Sequence, residues 1–184
     1  MSQYAFIVCE TDDVSESSLL SAGTMKSPVG DLVVVASGRS LRGVLWGDDE
    51  KEWKRAAIDR LEVAFQHSTI VEKTVSQLAE YFDGERQSFD LPLEPIGTDF
   101  QRTVWRSLTQ IEHGSTLSYS EQAASLGRAS AVRAVASANG RNPISIVIPC
   151  HRVVAASGKL GGFAGGLDAK RWLLQHERMR TSTL

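Results

Sequence analysis

At 184 residues, 42% hydrophobic and 23% charged, the chain is long enough to bury a substantial core and too apolar to be disordered throughout. Its apolar runs, such as residues 32–36 and 146–148, fall far short of the roughly 20 residues that span a bilayer, and no basic patch with a long apolar stretch opens the sequence, so neither a membrane helix nor a secretory signal is expected. The net charge of −2 hides a segregation: residues 1–96 carry 9 Lys+Arg against 17 Asp+Glu, or −8, whereas residues 97–184 carry 11 against 5, or +6, so only the second half would be drawn to a polyanion.

Residues 1–22 are rich in Ser and carry Glu10, Asp12, Asp13 and Glu16 with no Lys or Arg, so part of this tail is expected to be mobile. Residues 32–35 and 41–46 are β-prone, and Gly38-Arg39-Ser40 between them is turn chemistry, which predicts a hairpin. Helices are expected over 51–65 and 72–82. In the second, Val71, Val75, Leu78, Ala79 and Phe82 recur at helical spacing, and Gly84 suits its C-terminal cap. Phe89, Leu91 and Leu93 alternate around Pro92 as a short edge strand would. Pro95-Ile96-Gly97 then breaks the pattern and divides the chain into domains over 1–96 and 97–184.

Beyond the linker, Thr98 or Asp99 can cap a helix with Phe100, Val104, Trp105, Leu108 and Ile111 on one face. Ser118-Tyr119-Ser120-Glu121 has the spacing of a capping box and opens a short helix to Leu126. Gly127 makes a turn, and Ser130 is expected to cap a further helix through Ala138. Two short helices joined by a tight turn have the outline of a helix-turn-helix, which many helical hairpins that bind nothing share. The second helix is rich in alanine around a single arginine, Arg133, so it suits either close approach to another surface or tight packing in a core.

Asn139-Gly140-Arg141-Asn142-Pro143 is a dense cluster of turn formers. It feeds the apolar run Ile144-Ser145-Ile146-Val147-Ile148, expected as a buried strand that stops at Pro149-Cys150-His151-Arg152. A free cysteine has a pKa of about 8.5, so a reactive Cys150 needs a cationic or hydrogen-bonding neighbour, which His151 and Arg152 can supply. A lone cysteine is more often a small buried hydrophobe. The only other cysteine is Cys9; two separate thiols are expected, and no second cysteine or spaced histidine pair completes a zinc set, so no metal is expected.

The full string Ile148-Pro149-Cys150-His151-Arg152-Val153-Val154 resembles the active-site signature of the 6-O-alkylguanine-DNA alkyltransferases, also called methylated-DNA–protein-cysteine methyltransferases. The resemblance extends through Ser118-Tyr119, Arg133-Ala134-Val135, residues 139–143, Gly165-Gly166-Leu167 and Trp172-Leu173-Leu174-Gln175-His176-Glu177, and so covers residues 98–184. More loosely, Met25-Lys26-Ser27-Pro28-Val29-Gly30 and Tyr81-Phe82-Asp83-Gly84 look like the family's N-terminal domain. It implies an α/β N-terminal domain, a mixed sheet with helices that is ribonuclease-H-like. It also implies a mostly α, winged-helix-like C-terminal domain with a helix-turn-helix.

The function that the resemblance implies is direct repair of DNA: an alkyl group moves irreversibly from the 6-oxygen of a guanine to Cys150, once per molecule, with no cofactor. Cys150 would be nucleophile and acceptor, His151 would take its proton through a water, and Glu177 would orient the imidazole. Asn142 would tie the preceding turn to the catalytic segment. The target base must leave the duplex, at a cost of a few kcal/mol. Binding would be through the minor groove, with Arg133 filling the vacated space and Ser130, Ala131, Ala134 and Arg141 beside it at the DNA. Tyr119 would contact the flipped nucleotide and help neutralise the leaving guanine; an amphipathic helix could equally hold it as core. Ser145, Pro149, Val153, Phe163 and Ala164 would line the pocket, the Val153 backbone reading the exocyclic amine and that near Ala164 donating to the oxygen. The partner would be double-stranded DNA carrying the lesion, met by a monomer without membrane contact in the cytoplasm, at the nucleoid of a bacterium, or in a eukaryotic nucleus. Cooperative assembly on DNA and repair of 4-O-alkylthymine stay open.

Phe163 stands where many relatives carry tyrosine, and Ser145 where some carry a proline that narrows the pocket, which leaves tolerance of bulky alkyl groups open. Three rivals remain. A protein that recognises alkylguanine without chemistry would not need Cys150. A DNA-binding regulator would want a more polar reading helix. A thiol hydrolase on Cys150 and His151 would turn over many times.

Overall fold

The computed structural model describes residues 19–47, 50–56, 58, 62–66 and 68–181; Cys9 and the expected mobile tail up to residue 18 lie outside the described residues. The N-terminal half consists of β1 (Leu19–Met25), β2 (Leu32–Ala36), β3 (Leu41–Trp46), α1 (Glu50–Arg55), β4 (Glu62–Phe65) and α2 (Thr69–Asp83). The strands form one mixed sheet in the order β3-β2-β1-β4. β2 pairs antiparallel with both β1 and β3, and β4 lies parallel along the outer edge of β1.

Every residue of β2 is buried because both faces of the sheet are covered. Leu32, Val34 and Ala36 face the main core with Val71, Leu78 and Tyr81 of α2, while Val33 and Val35 face a second cluster with Leu20, Leu45, Ala56 and Ile58. The expected hairpin is therefore present, and α2 ends as expected at Gly84, whose left-handed φ of 77° lets its N–H return to the Tyr81 carbonyl.

The helix expected over 51–65 is formed only in its first part, as α1. α1 stops at Arg55, and residues 62–65 extend as β4 against Leu19–Ala22, which the sequence reading had put in the tail. Val63 and Phe65 suit a strand, and pairing with β1 outweighs the helical preference of Glu62 and Ala64. Residues 89–93 likewise make only a bridge: Leu41 N–H donates to Pro92 O at 2.8 Å and Glu94 N–H to Leu41 O at 3.0 Å. Proline supplies an acceptor there and no donor.

The C-terminal half is helical: α3 (Asp99–Leu108), β5 (Leu117–Ser118), α4 (Tyr119–Ser125), α5 (Val132–Asn139), β6 (Val153–Val154) and α6 (Gly166–Thr181). Thr98 with Gln101 and Ser118 with Glu121 form complete capping boxes at α3 and α4. At Gly97 an added Cβ would lie 2.5 Å from the Trp105 ring, so the linker glycine admits the indole that anchors α3. Ser130 does not cap α5: it sits inside a short 3-10 turn, and Ala131 holds the cap position without a side-chain bond. The inserted turn moves the serine one residue too far from the first helical N–H groups. α4 and α5 are instead locked by a buried amide pair, Asn139 Nδ2 donating to Gln122 Oε1 at 2.7 Å, and α3 is tied to α5 by Trp105 Nε1, which donates to Ala138 O at 2.8 Å.

One core runs through both halves, from Leu32, Val34 and Val44 to Trp105, Ile144, Val147, Val153 and Leu173. The seam is stitched by backbone bonds from Val44 N–H to Pro143 O at 3.0 Å and from Ser145 N–H to Val44 O at 3.1 Å. Residues 144–148 are not the expected strand. Ile146 adopts φ 72°, costly for a β-branched residue. Ile148 N–H turns back to Ile144 O at 2.9 Å, and all five residues are buried. The run is apolar because the loop itself is buried, and an apolar run without alternation does not distinguish that from a strand.

Candidate active site

Cys150 opens a short 3-10 turn, Cys150–Arg152, preceded by Pro149. Its N–H donates to Ile148 O at 2.8 Å, and Arg152 N–H donates to Pro149 O at 3.0 Å. This turn parts the Cys150 side chain from the two that follow it. Cys150, 8% exposed, faces a cleft lined by Tyr119, Asn139, Gly140, Asn142, Ser145, Gly162, Phe163 and Ala164, whereas His151 and Arg152 go into the core. Asn142 fixes the approach to the turn: its Nδ2 donates to Ile148 O at 2.7 Å and its Oδ1 accepts from Ile144 N–H at 3.0 Å.

Behind the thiol, His151 Nε2 lies 2.8 Å from Glu177 Oε1 on α6, both groups fully buried. Glu177 also accepts from Arg152 Nε at 2.9 Å, Arg152 Nη2 at 3.0 Å, Tyr81 Oη at 2.8 Å and Gly114 N–H at 3.0 Å. Burial alone would raise the Glu177 pKa, but the imidazole and the Arg152 guanidinium outweigh it and hold the carboxyl well below the usual carboxylate range. Burial pulls His151 below its ordinary value, with Glu177 opposing. His151 is then neutral near pH 7, which leaves Arg152 as the cation that keeps Glu177 ionised. A neutral imidazole beside a carboxylate carries its proton on Nε2, and Nδ1, buried and without a protein partner, is left as the basic nitrogen.

Two further groups frame the thiol. Lys170, buried on α6, donates from Nζ to Val153 O at 2.7 Å and lies 6.0 Å from the Tyr119 ring. Burial lowers its pKa, and the Cys150 sulfur opposes that shift. The Tyr119 hydroxyl is raised by burial and by Cys150, and its oxygen would be 2.8 Å from a Cβ at Gly161, so glycine there makes room for it. On the other wall, Phe163 packs edge-on against Trp46 of β3, with centroids 5.4 Å apart, and lies 6.3 Å from His151.

The structure thus gathers Cys150, Tyr119, Asn142, Ser145, Phe163 and Ala164 at one cleft, with His151 and Glu177 beneath it. Val153 lies in the core and its carbonyl accepts from Lys170, and Pro149 is buried ahead of the turn; neither lines the cleft. Ser130, Arg133, Ala134 and Arg141 are exposed and Ala131 is half-buried, around an α5 that leads directly into Asn139 and Gly140 of the cleft wall. Sequence reasoning missed Tyr81, Lys170 and Trp46 as members of the site. Lys170 did leave a signal: it shares the helical spacing of Leu173, Leu174 and Glu177, which puts a charge on the buried stripe of α6.

Residues 99–179 match the family model described as the DNA-binding domain of 6-O-methylguanine DNA methyltransferase, and residues 20–95 match its ribonuclease-like domain. The chain is 42% identical over 153 residues to the methylated-DNA–protein-cysteine methyltransferase of Methanosarcina barkeri, covering 83% of this chain and 94% of that one. It is 44% identical over 155 residues to the protein of that name from Mycolicibacterium paratuberculosis, covering 84% and 90%. Among solved structures, Mycobacterium tuberculosis O6-methylguanine methyltransferase superposes with a TM-score of 0.76 at 40% identity, over 88% of this chain and 94% of that one. The Mycobacterium tuberculosis protein in complex with DNA gives a TM-score of 0.75 at 39% identity over the same shares. With both halves of the chain matched in this way, the protein belongs to the 6-O-methylguanine DNA methyltransferase family.

Proposed function

We propose that the protein repairs DNA directly, transferring the alkyl group of a 6-O-alkylguanine irreversibly to Cys150 as a single-turnover methylated-DNA–protein-cysteine methyltransferase. The observation that carries this reading is a thiol at a cleft wall, backed by a buried His151–Glu177 pair whose basic nitrogen has no protein partner. His151 takes the thiol proton at Nδ1 through a bridging water, and Glu177 stabilises the imidazolium that forms. The thiolate attacks the alkyl carbon in line, the new S–C bond replaces the C–O bond, and the electron pair stays on the guanine oxygen. Tyr119 and the backbone near Ala164 supply hydrogen bonds to that leaving group, and Lys170 stabilises negative charge near the sulfur. A thioether is not a leaving group here, so each molecule acts once.

A thiol this deeply buried cannot reach a base inside a duplex, which requires the nucleotide to be rotated out. The α4–α5 pair is the element we assign to DNA. Arg133 and Ala134 on its exposed face, with Ser130, Ala131 and Arg141 nearby, give a small-residue surface for the minor groove and one arginine to fill the gap. The positive second half suits the phosphates. Among the described residues no helix is long and apolar enough to cross a membrane. Its place is with the DNA: the cytoplasm and nucleoid of a bacterium, or a eukaryotic nucleus.

The test is intact mass after incubation with a duplex carrying 6-O-methylguanine, beside Cys150→Ser and an unmodified duplex. One methyl increment on Cys150, absent from both controls, is expected. Tight lesion binding without transfer would leave a recognition protein, and repeated turnover would leave a hydrolase.

A further inference from the structure

We infer that Ser145 makes this protein selective for alkyl groups that carry an oxygen, so that a 2-hydroxyethyl adduct is transferred in preference to a propyl adduct of the same length. This rests on the repair function proposed above and names a substrate class for it. Ser145 is completely buried in the wall of the cleft that holds Cys150. Its backbone N–H is engaged by Val44 O at 3.1 Å, which fixes the residue to β3, but its Oγ has no hydrogen-bond partner in the protein.

The other buried polar side chains in this wall are already committed. Asn142 bonds Ile148 O and Ile144 N–H, and Asn139 is paired with Gln122 through both ends of its amide. Phe163 and Ala164 offer only carbon from their side chains. Among the side chains lining the cleft, Ser145 Oγ is therefore the buried donor and acceptor left without a protein partner. The cleft is tight, with about 10 Å³ of free volume, the size needed for one water-sized group. An alkyl terminus must take that space.

A methyl or propyl terminus entering it gives the hydroxyl nothing to bond, whereas the terminal hydroxyl of a 2-hydroxyethyl group gives it a partner. A neutral hydrogen bond exchanged for an unsatisfied one is worth a rate ratio of roughly five- to tenfold. The covalent chemistry is unchanged: the S–C bond forms at the same carbon and the C–O bond to guanine breaks.

The test is single-turnover transfer from duplexes carrying 6-O-methyl-, 6-O-(2-hydroxyethyl)- and 6-O-propylguanine, by the wild type and by Ser145→Ala. The readout is the hydroxyethyl-to-propyl rate ratio within each protein, so intrinsic reactivity cancels between them. Wild type is expected to exceed the variant in this ratio by roughly five- to tenfold. Equal ratios overturn the inference. Should Ser145→Ala fail to fold, Ser145→Val takes its place, and the same comparison decides. Transfer of methyl with equal ratios leaves the repair function standing; no transfer by the wild type from any duplex overturns both.

Discussion

The hydroxyl of Tyr81 donates to Glu177 Oε1 at 2.8 Å, and that same oxygen meets His151 Nε2 at 2.8 Å. Tyr81 belongs to α2 of the N-terminal half, so a donor from one domain shares the carboxylate that holds the His151 imidazole of the other. Burial and the Glu177 charge raise the tyrosine pKa well above its ordinary value, so the hydroxyl stays protonated and donates throughout the working range.

Tyr81→Phe removes this donor and little else. Glu177 Oε1 then has more charge to direct at His151, which favours the imidazolium and raises its pKa. The acid limb of the single-turnover rate should move to higher pH, and stability to urea should fall by about 2 kcal/mol, as for a hydrogen bond to a charged group. A rate loss with an unmoved acid limb would mean that Tyr81 only packs the domains together.

The pH dependence of the wild type follows from the buried pair. His151 lies below its ordinary 6.5 because of burial, so the unfolded chain binds the proton first. Its contribution to stability is complete above pH 6.5 and is lost as pH falls from there towards the folded pKa. His113, lowered by burial in the same way, adds to this loss. Glu177, depressed by His151 and Arg152 against burial, adds a second loss below its ordinary 4.5. Thermal melts should fall in two stages, below pH 6.5 and again below 4.5, and the transfer rate should have its acid midpoint below 6.5. A melting temperature flat from pH 7 to 5, or an acid midpoint above 6.5, would show that His151 is not buried as a neutral base.

The wall of the cleft depends on a contact across the domain seam. A Cβ at Gly165 would lie 2.6 Å from the Trp46 ring, which itself packs on Phe163. Gly165→Ala should displace either the indole or the loop carrying Phe163 and Ala164, with methyl transfer slowed by up to roughly a hundredfold, the scale on which a misplacement of about 1 Å acts. Trp46→Ala in the same chain should recover part of that rate, because the two changes share one space. Losses that simply multiply would argue that Gly165 matters for its backbone rather than for this contact.

The sequence reading was strongest where a local rule decides the structure. The capping box at Ser118, the cap at Thr98, expected there or at Asp99, and the glycine cap at Gly84 depend on residues at most four apart, and all three formed. It failed where a partner far along the chain decides: β4 exists because Leu19–Ala22 lies beside it, and the loop at Ile146 holds a positive φ because both domains bury it. At the site, the Pro149-Cys150-His151-Arg152 string and Glu177 were legible through the family resemblance. The shared use of Glu177 by Tyr81 and Arg152 was not, since 96 residues separate Tyr81 from Glu177 and no periodicity links them.

Arg133 is exposed on α5, two turns ahead of the Asn139 and Gly140 that line the cleft, and is not itself among the lining residues. In the role proposed for it, Arg133 holds the extruded state by filling the duplex, and it has no part in the chemical step. Arg133→Ala should therefore slow repair of a fully paired duplex by roughly tenfold or more, the scale of a few kcal/mol for base extrusion, and change transfer from the free modified base less than twofold. Stability should shift by no more than about 0.5 kcal/mol, as is usual for an exposed side chain. Salt separates this role from a phosphate contact: loss of a phosphate-neutralising arginine weakens binding and flattens its salt slope by about one unit. A flattened slope with unchanged repair at saturating DNA would make Arg133 a backbone contact, and equal slowing of the duplex and the free base would move it into the chemistry.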